Sequence, residues 1–420
     1  MTLPQSWAVS SIGALADKGQ YGWTTKAAQA GEVRFLRTTD ITKGRIDWSS
    51  VPFCAEVPAD LDKYLLEPGD IVISRAGSVG FSRLMEKIPC NTVFASYLIR
   101  FKPSSAVVPR YLAAYLNSDA YWKGIGAASV GIALANVNAK SLAALPVPLA
   151  PLAEQKRIAD KLDTVLTRVD AVNTRLARVA PLLKRFRQSV LAAATSGRLT
   201  EDWRGGAMDW TRVPAAEICE KVQSGGTPKA GFAEAGVPFL KVYNIVDQRV
   251  AFDYKPQFVS QAIHESELRK SQVLPNDVLM NIVGPPLGKV AVVPEDHSAW
   301  NINQAITLFR PSSKITSQWI YILLCEGAPI RDVLARTKGS VGQVNISLSQ
   351  CRAFEFQVPS VEEQTEIVRR VEALFAFADR LEARLAQAQT AATRLTPALL
   401  AKAFRGELVP QDPNDEPAAE

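Results

Sequence analysis

Residues 154–200 read EQKRIADKLDTVLTRVDAVNTRLARVAPLLKRFRQSVLAAATSGRLT, and residues 363–409 read EQTEIVRRVEALFAFADRLEARLAQAQTAATRLTPALLAKAFRGELV. The two stretches align without a gap at a constant offset of 209 positions. Glu154-Gln155 meets Glu363-Gln364, Asp170 meets Asp379, and Gly197-Arg198-Leu199 meets Gly406-Glu407-Leu408. In the first stretch Ile158, Leu162, Val165, Val169, Val172, Leu176, Val179, Leu183, Phe186 and Val190 step by alternating fours and threes. The second repeats the row as Ile367, Val371, Leu374, Ala378, Leu381, Leu385, Ala388, Ala392, Leu395 and Leu399. This spacing lays an apolar seam along one side of a helix and calls for a second helix to cover it. Two amphipathic helices that merely cap their own domains would also fit. A seam of more than four heptads, supplied in two matching copies, favours mutual antiparallel pairing. Small Ala378, Ala388 and Ala392 can then sit opposite large residues and keep the seam close-packed. Pro181 and Pro397 each remove a backbone hydrogen bond, so a kink or a break is expected at both.

The duplication extends upstream of the helices. Val33 to Arg37 answers Val237 to Lys241, Glu67-Pro68-Gly69-Asp70-Ile71 answers Leu274-Pro275-Asn276-Asp277-Val278, and Arg100 to Pro103 answers Leu308 to Pro311. Ser129-Val130-Gly131 recurs as Ser340-Val341-Gly342. The offset drifts from 204 to 211 here, as it does when loops differ on a shared framework. Short β-rich runs such as Asp70 to Ser74 and Asp277 to Met280, turn residues, and a helical piece from Pro109 to Leu116 give each copy an α+β globular part. The predicted organisation is a globular domain over 1–150, a helical spacer over 151–207, a second globular domain over 208–358, a second helical spacer over 359–410, and a disordered tail over 411–420. The fold class is α+β, with two tandem domains separated by two long helices that pair as an antiparallel coiled coil, pseudo-two-fold symmetric.

Composition narrows the function. The 420 residues carry a net charge of +6, split as +4 over 1–150, +5 over 151–207, +1 over 208–358 and −4 over 359–420. A basic first half is compatible with a polyanionic partner. No apolar run approaches the roughly 20 residues of a membrane span, and Met1 to Ser10 has no leader-like pattern, so a cytoplasmic protein is expected. Cys54, Cys90, Cys219, Cys325 and Cys351 form no CxxC pair and are expected as small buried apolar residues in a reducing compartment. With only His264 and His297, and no metal-ligand spacing, no metal site and no Ser/His/Asp set is predicted.

Catalytic motifs are looked for and not found. Gly284-Pro285-Pro286-Leu287 lacks the polar and aromatic side chains of an amino-methyltransferase tetrapeptide. Gly124 to Ser129 lacks the third glycine of a dinucleotide fingerprint and reads as a helix-terminating or loop glycine cluster. Gly284 to Lys289 is one residue short of a P-loop, with Val290 in place of Ser or Thr. The chain reads as a binder.

A globular domain, Pro151 to Ile158, a heptad helix and Gly197-Arg198-Leu199, all then written again, resembles the specificity subunits of type I restriction–modification systems. Leu3 to Trp7, Tyr21 to Lys26, Arg75 to Gly80 and Ser224 to Pro228 are similar to pieces of that family. The likeness spans nearly the whole chain. It departs where Ile282 replaces Arg75 and Gly284 to Gly288 replaces Gly77 to Gly80, and where Ser224 to Pro228 has no clear counterpart beside Tyr21-Gly22. The resemblance implies a non-catalytic subunit whose two domains are target-recognition domains, each reading half of a bipartite site in double-stranded DNA. It implies two modification (methyltransferase) subunits docked on the helices and restriction/translocase subunits joining the complex. No cofactor is expected on this chain; S-adenosylmethionine, Mg and ATP are expected on the partners, and no membrane is involved.

A duplicated domain on an antiparallel helix pair acquires a pseudo-two-fold axis that suits the local two-folds of duplex DNA. Because the two readers differ, the site need not be palindromic. A helix over 158–190 spans about 50 Å, on the order of 15 base pairs, as an upper limit on reader separation. Basic residues beside turns can reach phosphate, and Arg, Asn and Gln can read base edges. The DNA-binding candidates are Arg37, Lys43, Arg45, Arg75 and Ser78 in the first domain, and Lys241, Tyr243, Asn244, Arg249 and Asn281 in the second. Two rivals stand beside this reading. A self-contained methyltransferase would need motifs that are missing, and a pure scaffold would leave two large divergent domains without a purpose.

Overall fold

The computed structural model describes residues 3–128, 136–336 and 345–418. The repeated Ser129-Val130-Gly131 and Ser340-Val341-Gly342 lie outside the described residues. The chain forms two compact units, Met1–Ala177 with Ala386–Glu420, and Arg178–Leu385.

In unit 1 a four-stranded antiparallel sheet runs in the order Gln20–Tyr21, Leu98–Phe101, Ile71–Ser74, Ser82–Leu84. A second sheet has the order Ala27–Ala28, Phe53–Cys54, Arg34–Leu36, Thr92–Phe94, its last pair parallel. Strands Ala8–Ser11 and Pro146–Leu149 pair and tie the two ends of the globular part together. Unit 2 repeats this plan. Its first sheet is Lys221–Ser224, Ile306–Arg310, Val278–Asn281, Val290–Val292, and its second is Phe258–Val259, Val237–Leu240, Trp300–Ile302, Gln272–Val273. Val237–Leu240 and Trp300–Ile302 are the parallel pair, and Thr211–Pro214 pairs with Glu355–Val358.

Local chemistry explains why diverged sequences keep one plan. The turn before each central strand places Pro68 or Pro275 ahead of a residue at positive φ, Gly69 (97°) or Asn276 (69°). These are the two residue types that tolerate that backbone best. The Asp that follows closes the turn. An Asp70 carboxylate oxygen accepts from Glu67 N at 2.9 Å, and an Asp277 oxygen accepts from Leu274 N at 2.9 Å. The strands Ile71–Ser74 and Val278–Asn281 are buried throughout, which accounts for their unbroken apolar character.

Both long helices are continuous, Leu152–Thr195 (44 residues) and Val361–Ala403 (43 residues), with Pro181 and Pro397 inside them. The expected breaks do not occur. The carbonyls left without a donor belong to Ala177 and Thr393, both on exposed residues where water can reach them. In unit 1 Ile158, Leu162 and Leu166 share a core with Leu399, Leu400 and Phe404; in unit 2 Phe186, Val190 and Leu191 share one with Ile367, Val371 and Leu374. An early stretch of one helix against a late stretch of the other is antiparallel packing. Arg187 reinforces it, reaching Asp379 at 2.6 Å and Glu382 at 3.1 Å, with its guanidinium 5.1 Å from the Phe375 ring centre.

Ile158, Leu162, Val169, Leu183, Ile367, Val371, Ala378, Leu385 and Ala392 are buried, and Val165, Leu176, Val179, Leu374 and Leu381 are half-buried. Val172 is 44% exposed and Leu395 is 46% exposed, so these two depart from the seam.

Glu-Gln, the first repeated dipeptide, fastens each helix to its own unit. The Gln155 side chain accepts from Val108 N at 2.8 Å and donates to Ala150 O at 2.9 Å; Gln364 accepts from Thr316 N at 2.9 Å and donates to Pro359 O at 3.0 Å. Glu154 accepts the Trp7 indole N–H, and Glu363 accepts that of Trp210, each at 2.9 Å. The tail corrects the expectation of disorder over its described part, 411–418. Gln411 donates to Glu154 at 2.5 Å, Asp415 accepts the Arg157 guanidinium at 2.5 Å and 3.1 Å, and Ala418 N donates to Ser6 O at 3.0 Å. The tail after Gly406-Glu407-Leu408 thus anchors on Glu154 much as Thr200 and Arg204, after Gly197-Arg198-Leu199, anchor on Glu363.

Burial pushes the thiols up, to about 11 at Cys54 and about 12 at Cys219, Cys325 and Cys351. Cys90 is exposed, unlike the expectation for this residue type. Gly124 and Gly126 fall inside the helix Asp119–Ala128, not in a loop.

Candidate nucleic-acid interface

The sheets position most of the candidates on the turns between strands, with Asn281 at the end of Val278–Asn281 and Arg249 in the short strand Arg249–Val250. Arg37 caps the short helix Thr38–Ile41, and its guanidinium is committed to Asp40 through bonds of 3.0 Å and 2.9 Å. That hydrogen bond also holds the guanidinium charged, its pKa raised above the ordinary value. Lys43 and Arg45 follow on an exposed turn, and Ser78 is exposed on the loop after Ile71–Ser74. Arg75 sits at the base of that loop, its guanidinium 4.9 Å from the centre of the Tyr21 ring.

In unit 2 the Lys241 ammonium lies 4.5 Å from the Phe232 ring centre, and the Tyr243 ring meets Tyr254 edge-on at 6.0 Å. Arg249 is exposed beside a cleft lined by Gln248, Val250, Pro294 and Tyr321. Asn244 and Asn281 correct the sequence expectation, because both are 1% exposed. Asn244 accepts from Lys241 N at 3.0 Å and donates to Tyr254 O at 2.9 Å. Asn281 accepts from Lys289 N at 2.7 Å and donates to Pro286 O at 2.9 Å. Turn and strand backbone consumes both amides, so neither offers an edge to a base.

The structure groups the remaining candidates locally. Arg45 shares a cleft with Arg83 and Lys87, two residues not singled out in the sequence, together with Glu86 and Asp170. Arg83 Nε is buried with no hydrogen-bond partner, and burial lowers the pKa of its guanidinium. The signal available was a lone Arg between Ser82 and Leu84 in a short strand. Arg75 and Ser78 belong to a different loop and do not line this cleft.

The glycine loop that had no legible counterpart has one. Gly22 N donates to Leu98 O at 3.2 Å and Trp23 N to Phe94 O at 2.7 Å; Gly225 N donates to Ile306 O at 2.9 Å and Gly226 N to Ile302 O at 3.1 Å. A Cβ at either Gly22 or Gly225 would strike the carbonyls opposite, so glycine is required at this crossing in both units.

Among the described residues no group of His, Cys, Asp or Glu is placed to hold a metal, and no helix is long and apolar enough to cross a membrane. Two copies of one α+β plan, each bearing loops with unlike side chains and each locked to a stretch of antiparallel helix pair, define a tandem recognition-domain protein. The type I restriction modification DNA specificity domain family matches residues 4–180 and 208–389. The chain is 30% identical over 427 aligned positions to the type I restriction enzyme StySPI specificity subunit of Salmonella potsdam, covering 97% of this chain and 90% of that one. It is 29% identical to the EcoKI specificity subunit of Escherichia coli K12 over the same shares of the two chains, 97% and 90%. A chain solved in work on complex assembly and conformational transition of the type I R-M system shares the fold, with a TM-score of 0.74, 19% identity, and coverage of 97% and 100%. The HsdS subunit of Thermoanaerobacter tengcongensis does so with a TM-score of 0.65, 19% identity, and coverage of 97% and 99%. The chain belongs to the family of type I restriction–modification specificity subunits, the non-catalytic components responsible for DNA sequence recognition.

Proposed function

We propose that each globular domain reads one half of a bipartite duplex site while the paired helices set the spacing and dock two modification subunits. The methyl donor S-adenosylmethionine, Mg and ATP are bound by partner subunits, with restriction/translocase subunits completing the nuclease. One observation carries the reading: a single framework is built twice, with equivalent turns at Asp70 and Asp277 and equivalent glycine crossings at Gly22 and Gly225, yet the loops it displays differ. Two readers of one architecture and different side chains suit two unlike half-sites.

The test compares genome-wide adenine methylation in cells carrying the modification subunit with and without this gene, alongside methyl-transfer assays on the purified chain. Methylation at one bipartite motif that depends on this gene, with none from the chain alone, is the expected result. Robust S-adenosylmethionine-dependent transfer by the isolated chain would sink the proposal, as would methylation whose sequence is unchanged without the gene.

A further inference from the structure

Backbone hydrogen bonds fix which loop positions correspond between the two units. Arg75 N donates to Tyr97 O at 2.9 Å, as Ile282 N does to Ala305 O at 2.8 Å. Val137 N donates to Arg75 O at 2.9 Å, as Ile346 N does to Ile282 O at 2.9 Å. With the Gly22 and Gly225 crossings superposed in role, Tyr21, Arg75 and Tyr97 of unit 1 stand where unit 2 has Ser224, Ile282 and Ala305. The framework is kept while all three side chains change in chemistry.

The sheet brings the three to one end. Tyr21 lies opposite Ile99 and Ile99 opposite Ile73; Arg75 comes just after the strand end at Ser74, Tyr97 sits in the turn just before Leu98, and Arg75 N donates to Tyr97 O. Ile73 and Ile99 are fully buried, whereas Tyr21 is 41% and Tyr97 is 60% exposed, so the core face runs out into an accessible patch at this end. The Tyr21 hydroxyl accepts from Ala139 N at 3.0 Å and fixes the ring beneath the Arg75 guanidinium. Arg75 Nε is buried without a partner. Arg37, Arg100, Arg110 and Arg157 each face a carboxylate, whereas Arg75 lies over an aromatic ring and makes no ion pair among the described residues.

We propose that Tyr21, Arg75 and Tyr97 form a base-reading patch in which the Arg75 fork reads the O6 and N7 acceptors of a guanine in the first half-site. A stacked, planar, pre-oriented guanidinium matches two coplanar acceptors, and bidentate Arg to guanine is the commonest specific contact in the major groove. Ile282, 5% exposed, and Ala305 offer no side-chain donor, so the equivalent locus of unit 2 makes no such contact. This inference rests on the bipartite-reader function proposed above.

The test assembles the full chain with its modification subunits and sequences methylated products from a randomised DNA library, for wild type, Arg75→Ala and Arg75→Lys. For Arg75→Ala the expected result is an about five- to 150-fold loss of guanine preference at one position of the first half-site, the second half-site being unchanged. Arg75→Lys should retain binding but recover only part of that preference. The intact second half-site reports that each variant complex is assembled. A uniform weakening across all sequences, with a salt slope lower by about one, would make Arg75 a phosphate contact and overturn the inference. So would an unchanged preference, a first half-site without guanine, or loss of reading in both half-sites. A wild-type complex with no bipartite preference would instead overturn the function beneath it.

Discussion

Residue identity alone does not reveal whether a polar side chain faces DNA or its own backbone. Asn244 and Asn281 have the chemistry of adenine readers, and each is spent on the turn that contains it. Asn281→Ala takes away the partner of the half-buried Lys289 N–H and loosens the turn that Asn281 ties to Pro286. The expected cost is about 1–3 kcal/mol in urea denaturation of the chain, with the recognised sequence unchanged. A change in recognised bases at undiminished stability would return Asn281 to the interface. Arg75 and Tyr97 are the converse. Nothing in their local sequence says that strand pairing brings them to one end of the sheet with Tyr21, some fifty residues or more away. Long-range pairing of this kind is why the patch was only partly legible, through Arg75 alone.

At the scale of elements, the helices were the legible part, because a heptad is a local pattern and its duplication doubles the signal. Continuity through Pro181 and Pro397 was not, since it depends on where the orphaned carbonyls point. The tail departs from expectation for a related reason: acidic, proline-containing composition argues for disorder, while partners far off in the chain, Glu154, Arg157 and Ser6, hold it. The two Glu anchors should titrate in opposite senses. Burial raises the Glu154 carboxyl above its ordinary value, outweighing the bonds from Trp7 and Gln411. Burial works the same way on Glu363, but bonds from Arg204, Trp210 and Thr200 together outweigh it and hold that carboxyl below its ordinary value. A lowered folded-state value means stability that is present above the unfolded carboxylate value and lost as pH falls through the folded one. A raised value means stability present below the unfolded value and lost as pH rises through the folded one. Glu363→Gln should therefore remove part of the stability lost on acidification, and Glu154→Gln part of the opposite trend. Thermal denaturation of both variants between about pH 3 and 7 checks this. Parallel pH profiles for the two variants would contradict it.

In the whole molecule, reading and spacing belong to different parts under the proposed function. Removing one residue from a helix turns every later side chain by about 100° and should abolish assembly with the modification subunits. Removing one heptad from each, 165–171 together with 374–380, preserves both faces and shortens the frame by about 10 Å, up to roughly three base pairs. The half-site bases should stay the same while the spacer between them contracts by about one to three base pairs. An active complex with an unchanged spacer would show that the helices do not set it.

The most direct test of two independent readers is to replace residues 1–150 with the equivalent domain of a relative that recognises a different site, and to sequence methylated genomic DNA from the assembled complex. The account predicts one new half-site joined to one unchanged half-site across the original spacer. If both half-sites changed together, or neither did, the two domains would not be separate readers.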